Sequence, residues 1–162
     1  MTRRAPHAAV AFAVALVALA ADQAVKRALL PTLGLVPGEP RPLFGPLRLT
    51  LVGNNGISYG LFQSGGDAIR WGLCAFSAAV IVGLAAWALR LERRVTAIAV
   101  GLIMGGAAGN LADRVTLGRV VDFIDAGALR FPWIFNLADS VITVGVGLLV
   151  LEGLLPGRPT SP

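Results

Sequence analysis

Apolar residues along this chain gather into four long runs, and the stretches between them differ from one another in character. Residues 8–21 form the first run. Asp22 and Gln23 interrupt it, and Ala24, Val25 and Ala28 to Leu30 carry it on until Pro31, which the pattern predicts as its stop. In a continuous helix Asp22 and Lys26 lie four apart and share a face. Residues 31–67 break the pattern: five of the ten prolines fall between Pro31 and Pro46. The alternation Leu47-Arg48-Leu49-Thr50-Leu51-Val52 then predicts a short strand, with a turn supplied by Gly53 to Gly56. Trp71 to Leu89 is a run of 19 residues without a charge, enough to cross about 30 Å of hydrocarbon. Trp71 and Trp87 sit where an interfacial aromatic belt would place them. After the basic turn Arg90, Arg93, Arg94, a third run from Val95 carries Gly101, Gly105 and Gly109 on one helix face, which lets another helix approach closely. A fourth run begins near Asn136 and ends before Pro156.

Composition turns these runs into membrane spans. With 56% hydrophobic residues, 14% charged residues and a mean hydropathy of +0.74, the chain does not read as a soluble domain of its length. The predicted fold is an all-α integral membrane protein with a small β-rich segment outside the bilayer. It forms a single membrane domain over residues 1–162, with spans at about 8–30, 69–90, 95–113 and 136–155, an outer segment at 31–67 and an outer loop at 114–135. Ala18-Leu19-Ala20 before Ala21 has the form of a leader cleavage site, so a removable leader is the alternative for the first run. The helical pattern continuing to Leu30 favours a retained span.

The net charge of +5 comes from 14 scattered basic residues with no basic stripe among aromatics, which argues against nucleic acid and for an anionic lipid surface. A lone Cys74 inside an apolar run excludes an intrachain disulfide and a multi-cysteine metal site. His7 is the only histidine, so neither a His-based triad nor a zinc cluster can be built. Four spans put both termini on one side. Basic residues concentrated in the short segments, Arg3, Arg4, Arg90 to Arg94 and Arg158, favour the inner side for them.

The polar residues that remain concentrate between Gly109 and Ser140, where four of the nine acidic residues lie beside apolar sequence. A carboxylate within the bilayer costs roughly 2.5–3.5 kcal/mol, so a cluster of them suggests a working site. Asn110, Asp113 and Arg114 share the outer end of the third helix. Asp139 lies in the first turn of the fourth, where the helix dipole accommodates negative charge, and Asp122 lies in the loop before it. Two carboxylates brought together without His, Cys or Lys suit acid–base hydrolysis: one member takes a proton from water while the other donates to the carbonyl oxygen. From spacing alone, structural ion pairs (Asp113 with Arg114, Asp22 with Lys26) explain the same residues equally well. A proton or cation transporter and a non-catalytic scaffold also stand as alternatives. The one-sided gathering of polar residues and the lack of repeat symmetry argue against transport.

A resemblance separates these readings. The blocks Gly105-Gly106-Ala107-Ala108-Gly109-Asn110-Leu111-Ala112-Asp113-Arg114, Val120-Val121-Asp122-Phe123-Ile124-Asp125 and Phe135-Asn136-Leu137-Ala138-Asp139-Ser140 resemble the signature of bacterial lipoprotein signal peptidase, signal peptidase II. Asp22 with Lys26, and Asn54-Asn55-Gly56-Ile57-Ser58-Tyr59, match its upstream features, so the resemblance covers roughly residues 8–155. Tyr59 stands where the family often has Phe, and the residue before Asn54 is the small Gly53.

The resemblance implies an aspartic endopeptidase that uses Asp122 and Asp139 as its catalytic pair, with no metal and no cofactor. It implies that Asn54, Gly56, Asn110, Arg114 and Asn136 bind or orient the substrate and the pair. Asp22, Lys26 and Asp113 are implied to support the architecture, with Asp113 a polar tie to a neighbouring element and Asp125 a bystander. The implied substrate is a prolipoprotein carrying diacylglycerol on a cysteine, cut on the N-terminal side of that cysteine. The implied setting is the bacterial inner membrane, with both termini cytoplasmic, the site toward the periplasmic face, membrane lipids around a monomer, and no nucleic acid. The loop from Asn54 to Leu61 is placed to close over such a site.

Overall fold

The computed structural model describes residues 7–56, 66–131 and 133–154. Four of its helices are long and apolar enough to cross a membrane. Helix α1 spans Ala8–Ala24 and continues through a π-helical turn, Val25–Leu29, and a 3-10 turn, Leu30–Leu33. The chain there ends its helical course at Gly34, in the left-handed region at φ 57°. Pro31 therefore does not stop the helix as expected. It sits at the start of the 3-10 turn, where a missing N–H costs nothing. Helix α2 is Gly66–Ala88, α3 is Arg94–Leu117 and α4 is Leu137–Leu154.

Helix α3 is the central one, packed against α1, α2 and α4, and its buried residues run along its length. Its small side chains explain this. Gly101 lies against the Ala11 carbonyl, Gly105 against the Ala15 carbonyl and Gly109 against the Asp22 carboxylate, all on α1. Gly106 faces the Ala138 carbonyl on α4, and from α4 Gly145 faces the Ala99 carbonyl in return. The glycine face read from the sequence is thus the α1–α3 contact, and a second small-residue contact joins α3 to α4. The large side chains point the other way: Leu16, Phe76, Val82 and Leu151 are more than half exposed, as lipid-facing residues are.

Gly105 allows a direct test of this packing. A β-carbon there would meet the Ala15 carbonyl and lie 2.7 Å from the Ala18 β-carbon, so α1 and α3 would have to separate. Gly105→Leu is expected to destabilise the folded protein by about 3 kcal/mol or more, read as thermal unfolding in detergent. Gly83→Leu, where nothing lies within 4 Å, is expected to leave the midpoint in place.

At the end where α1 leaves and α4 enters, the chain builds a four-stranded antiparallel sheet in the order β1-β2-β3-β4. Strand β1 is Arg41–Phe44, β2 is Leu47–Asn54, β3 is Val120–Asp125 and β4 is Ile134–Phe135. Leu30, Leu49 and Phe123 pack together and fasten the sheet to the end of α1. The predicted strand at 47–52 is present and runs two residues further. The region expected as an outer loop is more ordered than that: α3 continues through Arg114 to Leu117, and β3 and β4 follow. Strand β3 was hidden because it is buried at Val120, Asp122, Phe123 and Asp125, which is not an alternating pattern.

Candidate functional site

The site is built on the N-terminus of α4. Asn136 precedes the first helical residue, and its side-chain oxygen accepts from the Asp139 backbone N–H at 2.9 Å. Asp139 answers by accepting the Asn136 backbone N–H at 3.2 Å. This reciprocal arrangement is a capping box, with Asn and Asp in the two capping roles. A third group joins from α1: the Asp22 carboxylate accepts the Ala138 backbone N–H at 3.0 Å. An anion against the exposed N–H groups of a helix start is favourable. The cap thus holds Asp139 while it orders the helix.

The Asn136 amide reaches further. Its nitrogen donates to Asp122 on β3 at 2.7 Å and to the Asn110 oxygen on α3 at 3.0 Å. The Asn110 nitrogen in turn donates to Asp139 at 2.8 Å, which closes a ring Asn136–Asn110–Asp139 to which Asp122 is attached through Asn136. Asn54, at the end of β2, donates to the other Asp122 oxygen at 2.9 Å, and its own oxygen accepts the Gly56 N–H at 2.7 Å. Asp122 is 2% exposed. Burial pushes its carboxyl up to about 6; the Asn54 hydrogen bond opposes that rise, the charge of Asp139 adds to it, and Asn136 and Lys26 oppose it.

Beneath this ring lies an ionic cluster. Lys26 pairs with Asp22 at 3.0 Å and with Asp113 at 2.7 Å, all three side chains essentially buried. Its ammonium also reaches the Asn110 oxygen at 3.5 Å, which sets which way that amide faces. One Asp113 oxygen takes the Val121 backbone N–H at 3.2 Å, joining α3 to β3. Its partner is Lys26, and no ion pair with the adjacent Arg114 forms among the described residues. Gln23, which the sequence reading treated only as an interruption, donates to Asp22 at 3.1 Å, to Asp113 at 3.0 Å and to the Gly109 carbonyl at 3.3 Å. Its signal was there to read: an amide within an apolar span needs buried partners.

Arg114 is half-buried and donates weakly to the Asn110 carbonyl at 3.5 Å; its buried Nε has no protein partner among the described residues. It lies beside Gly56, whose φ of 92° only glycine adopts easily and whose missing side chain leaves room for Leu73 of α2. Asp125 stands apart from the ring. It ties the sheet through Thr50 at 3.0 Å, the Gly127 N–H at 2.7 Å and Arg48 at 3.4 Å, and the Gly127 N–H holds its carboxyl below the usual value. Residues 57–61 of the segment expected to close over the site, Tyr59 included, lie outside the described residues. Among the described residues no group of three or more His, Cys, Asp or Glu converges as a metal site.

A family model described as signal peptidase (SPase) II matches residues 14–155. A lipoprotein signal peptidase of Caulobacter vibrioides is 50% identical over 147 residues, covering 90% of this chain and 87% of that protein. One from Methylorubrum extorquens is 44% identical, covering 91% of this chain and 86% of its own. Two solved structures of bacterial membrane enzymes share the fold, with TM-scores of 0.80 and 0.79 at 24% and 26% identity, covering 100% and 95% of this chain and 99% and 98% of theirs. The chain accordingly belongs to the signal peptidase II family and is a multi-pass membrane peptidase of the aspartic class.

Proposed function

We propose that Asp122 and Asp139 form a catalytic dyad that cleaves diacylglyceryl-modified prolipoproteins on the N-terminal side of the lipidated cysteine, releasing the signal peptide. The observation that supports this reading is the hydrogen-bonded path that links the two carboxylates through Asn136 and Asn110. Asp122, pushed up to about 6, holds the shared proton. Asp139 acts as the base: it takes a proton from the attacking water as the oxygen bonds to the scissile carbonyl carbon. Asp122 gives its proton to the carbonyl oxygen, where charge develops. The tetrahedral intermediate collapses as the C–N bond breaks: the proton held by Asp139 passes to the leaving cysteine nitrogen, and one hydroxyl of the intermediate returns its proton to Asp122 as the new carboxyl group forms. No covalent enzyme intermediate is involved. Asn54, Asn110 and Asn136 hold the carboxylates, and Arg114, with Gly56 beside it, orients substrate carbonyls.

The dyad comes whole from one chain, so a monomer suffices. The Arg90, Arg93, Arg94 turn lies at the opposite end of the helices from the sheet, and basic short loops favour the cytoplasmic side. That supports cytoplasmic termini, with the dyad near the periplasmic surface of the inner membrane. There acyl chains can stay in lipid while water reaches the carboxylates.

The test is cleavage of a diacylglyceryl-modified prolipoprotein by purified protein, with the new N-terminus identified by mass spectrometry and the rate followed against pH. The expected product begins at the lipidated cysteine. Below pH of about 6 Asp122 keeps its proton; above it Asp122 ionises and the donor is lost, so kcat/KM should fall as pH rises through about 6. Asn54→Ala removes a hydrogen bond that lowers the Asp122 value, so the alkaline limb should move to higher pH. Cleavage elsewhere, or a limb that moves the other way, would overturn the assignment.

A further inference from the structure

Strand β2, which pairs with the strand that carries Asp122, has one edge open among the described residues toward its end at Asn54, the residue that holds Asp122. Across β2 and β3, Val52 pairs with Asp122, Gly53 with Val121 and Asn54 with Val120. The Val121 N–H is turned away from β2, because it donates to Asp113 at 3.2 Å. Gly53 and Val121 therefore form a pair without mutual hydrogen bonds, and the Gly53 N–H and C=O point to the other edge of β2. The neighbouring residue of the same parity agrees: the Leu51 carbonyl, two residues back, accepts the Gly38 N–H on that edge at 3.0 Å. Pairing with β1 ends at Leu49, so beyond Leu51 this edge carries no strand among the described residues. Gly53 is exposed, with one donor and one acceptor facing outward in strand geometry. The next residue, Asn54, touches Asp122 at 2.9 Å.

We infer that the open edge of β2 at Gly53 is a substrate-binding site, which takes an extended segment of the prolipoprotein flanking the scissile bond as an added antiparallel or parallel strand. The inference rests on the peptidase reading above. Its occupant follows from that reading and from the edge itself: a peptide backbone is the ligand that offers an acceptor and a donor at strand spacing. The spacing also says which part of the substrate docks. A strand added to β2 lies two strand spacings, roughly 10 Å, from β3, so it carries residues displaced from the scissile bond while the bond itself crosses over Asn54 to the dyad. Because the recognition is by main chain, it is indifferent to side-chain identity, which suits an enzyme that processes many precursors. Gly53 contributes a further property. Its side-chain position is covered by Arg119, whose Cδ lies 2.6 Å from where a β-carbon would be, so the absence of a side chain lets an arginine lie flat across the strand beside the docking edge.

The experiment is a backbone N-methyl scan of a diacylglyceryl-modified prolipoprotein peptide, one residue at a time, leaving out the scissile amide. Wild-type cleavage of the unmethylated parent comes first; if that fails, the peptidase reading fails and not merely the docking edge. Strand pairing predicts an alternating response. N-methylation of the residue paired with Gly53 should raise KM about tenfold with kcat held within about twofold, and its immediate neighbours should tolerate the change. Gly53→Pro, which removes the enzyme's donor on an edge where proline is tolerated and keeps its carbonyl, should raise KM for the parent peptide while the alternation between methylated positions persists. Uniform tolerance across the scan, or a block of consecutive sensitive residues without alternation, overturns the proposal.

Discussion

Asp122→Asn and Asp139→Asn are each expected to lower the cleavage rate by roughly 10³-fold or more while leaving the protein folded. Each swap keeps the size and shape of the side chain and removes the one property the mechanism requires, a carboxyl that can exchange a proton. The structural cost is small and can be named. Asp122 accepts from Asn54 and from Asn136, and an amide in its place keeps only one of those contacts. Asp139 accepts from Asn110 and from the Asn136 backbone, and it too would keep one. A neutral hydrogen bond lost in this way costs about 1 kcal/mol, which shifts unfolding without preventing it. The combined variant should be little worse than either single one, since in the proposed mechanism the two carboxylates share one proton and act as a unit. Either variant retaining more than a tenth of wild-type turnover in the prolipoprotein assay would remove that residue from the dyad.

Lys26→Met is expected to be among the most destabilising single changes in the chain, at about 3–5 kcal/mol. The reason is electrostatic rather than volumetric, because methionine fills much the same space. Lys26 is the cation between Asp22 and Asp113, and both carboxylates are fully buried. Without it two anions face each other in a low-dielectric interior. Their other contacts also suffer: Asp22 caps α4 through Ala138, and Asp113 holds β3 through Val121. Loss of this one ammonium therefore loosens three elements that converge on the proposed dyad. Adding Asp113→Asn to Lys26→Met removes one unpaired charge, and the pair should be less destabilised than the sum of the two single variants. Equal destabilisation by Lys26→Met and by a surface change such as Arg90→Met, measured by thermal unfolding in detergent, would rule out the cluster as the keystone.

These residues also divide what local pattern can encode from what it cannot. Sequence alone determined the membrane class, because long uncharged runs can bury their backbone polar groups only as spanning helices. It determined the glycine face of α3, since period and residue size are local properties. It also determined which side chains deserved scrutiny: a carboxylate beside apolar sequence stands out whatever the fold. The link between Asp22 and Lys26 was visible for the same reason, being four residues apart on one helix.

The tertiary structure decided which partner each polar group takes. Asp113 stands next to Arg114 in the chain yet pairs with Lys26 from α1, because successive residues on a helix face different ways. Residues 120–125 become a strand only because β2 and β4 supply its hydrogen bonds, and no alternation in their own sequence announced it. Most of all, Asn136 bridges Asp122 and Asp139 while capping α4, and Asn110 closes the ring from another helix. Hydrogen-bond direction at an amide depends on where neighbouring elements arrive in space. That is information a linear pattern of polar and apolar residues does not carry, and it links two separate aspartates through one asparagine.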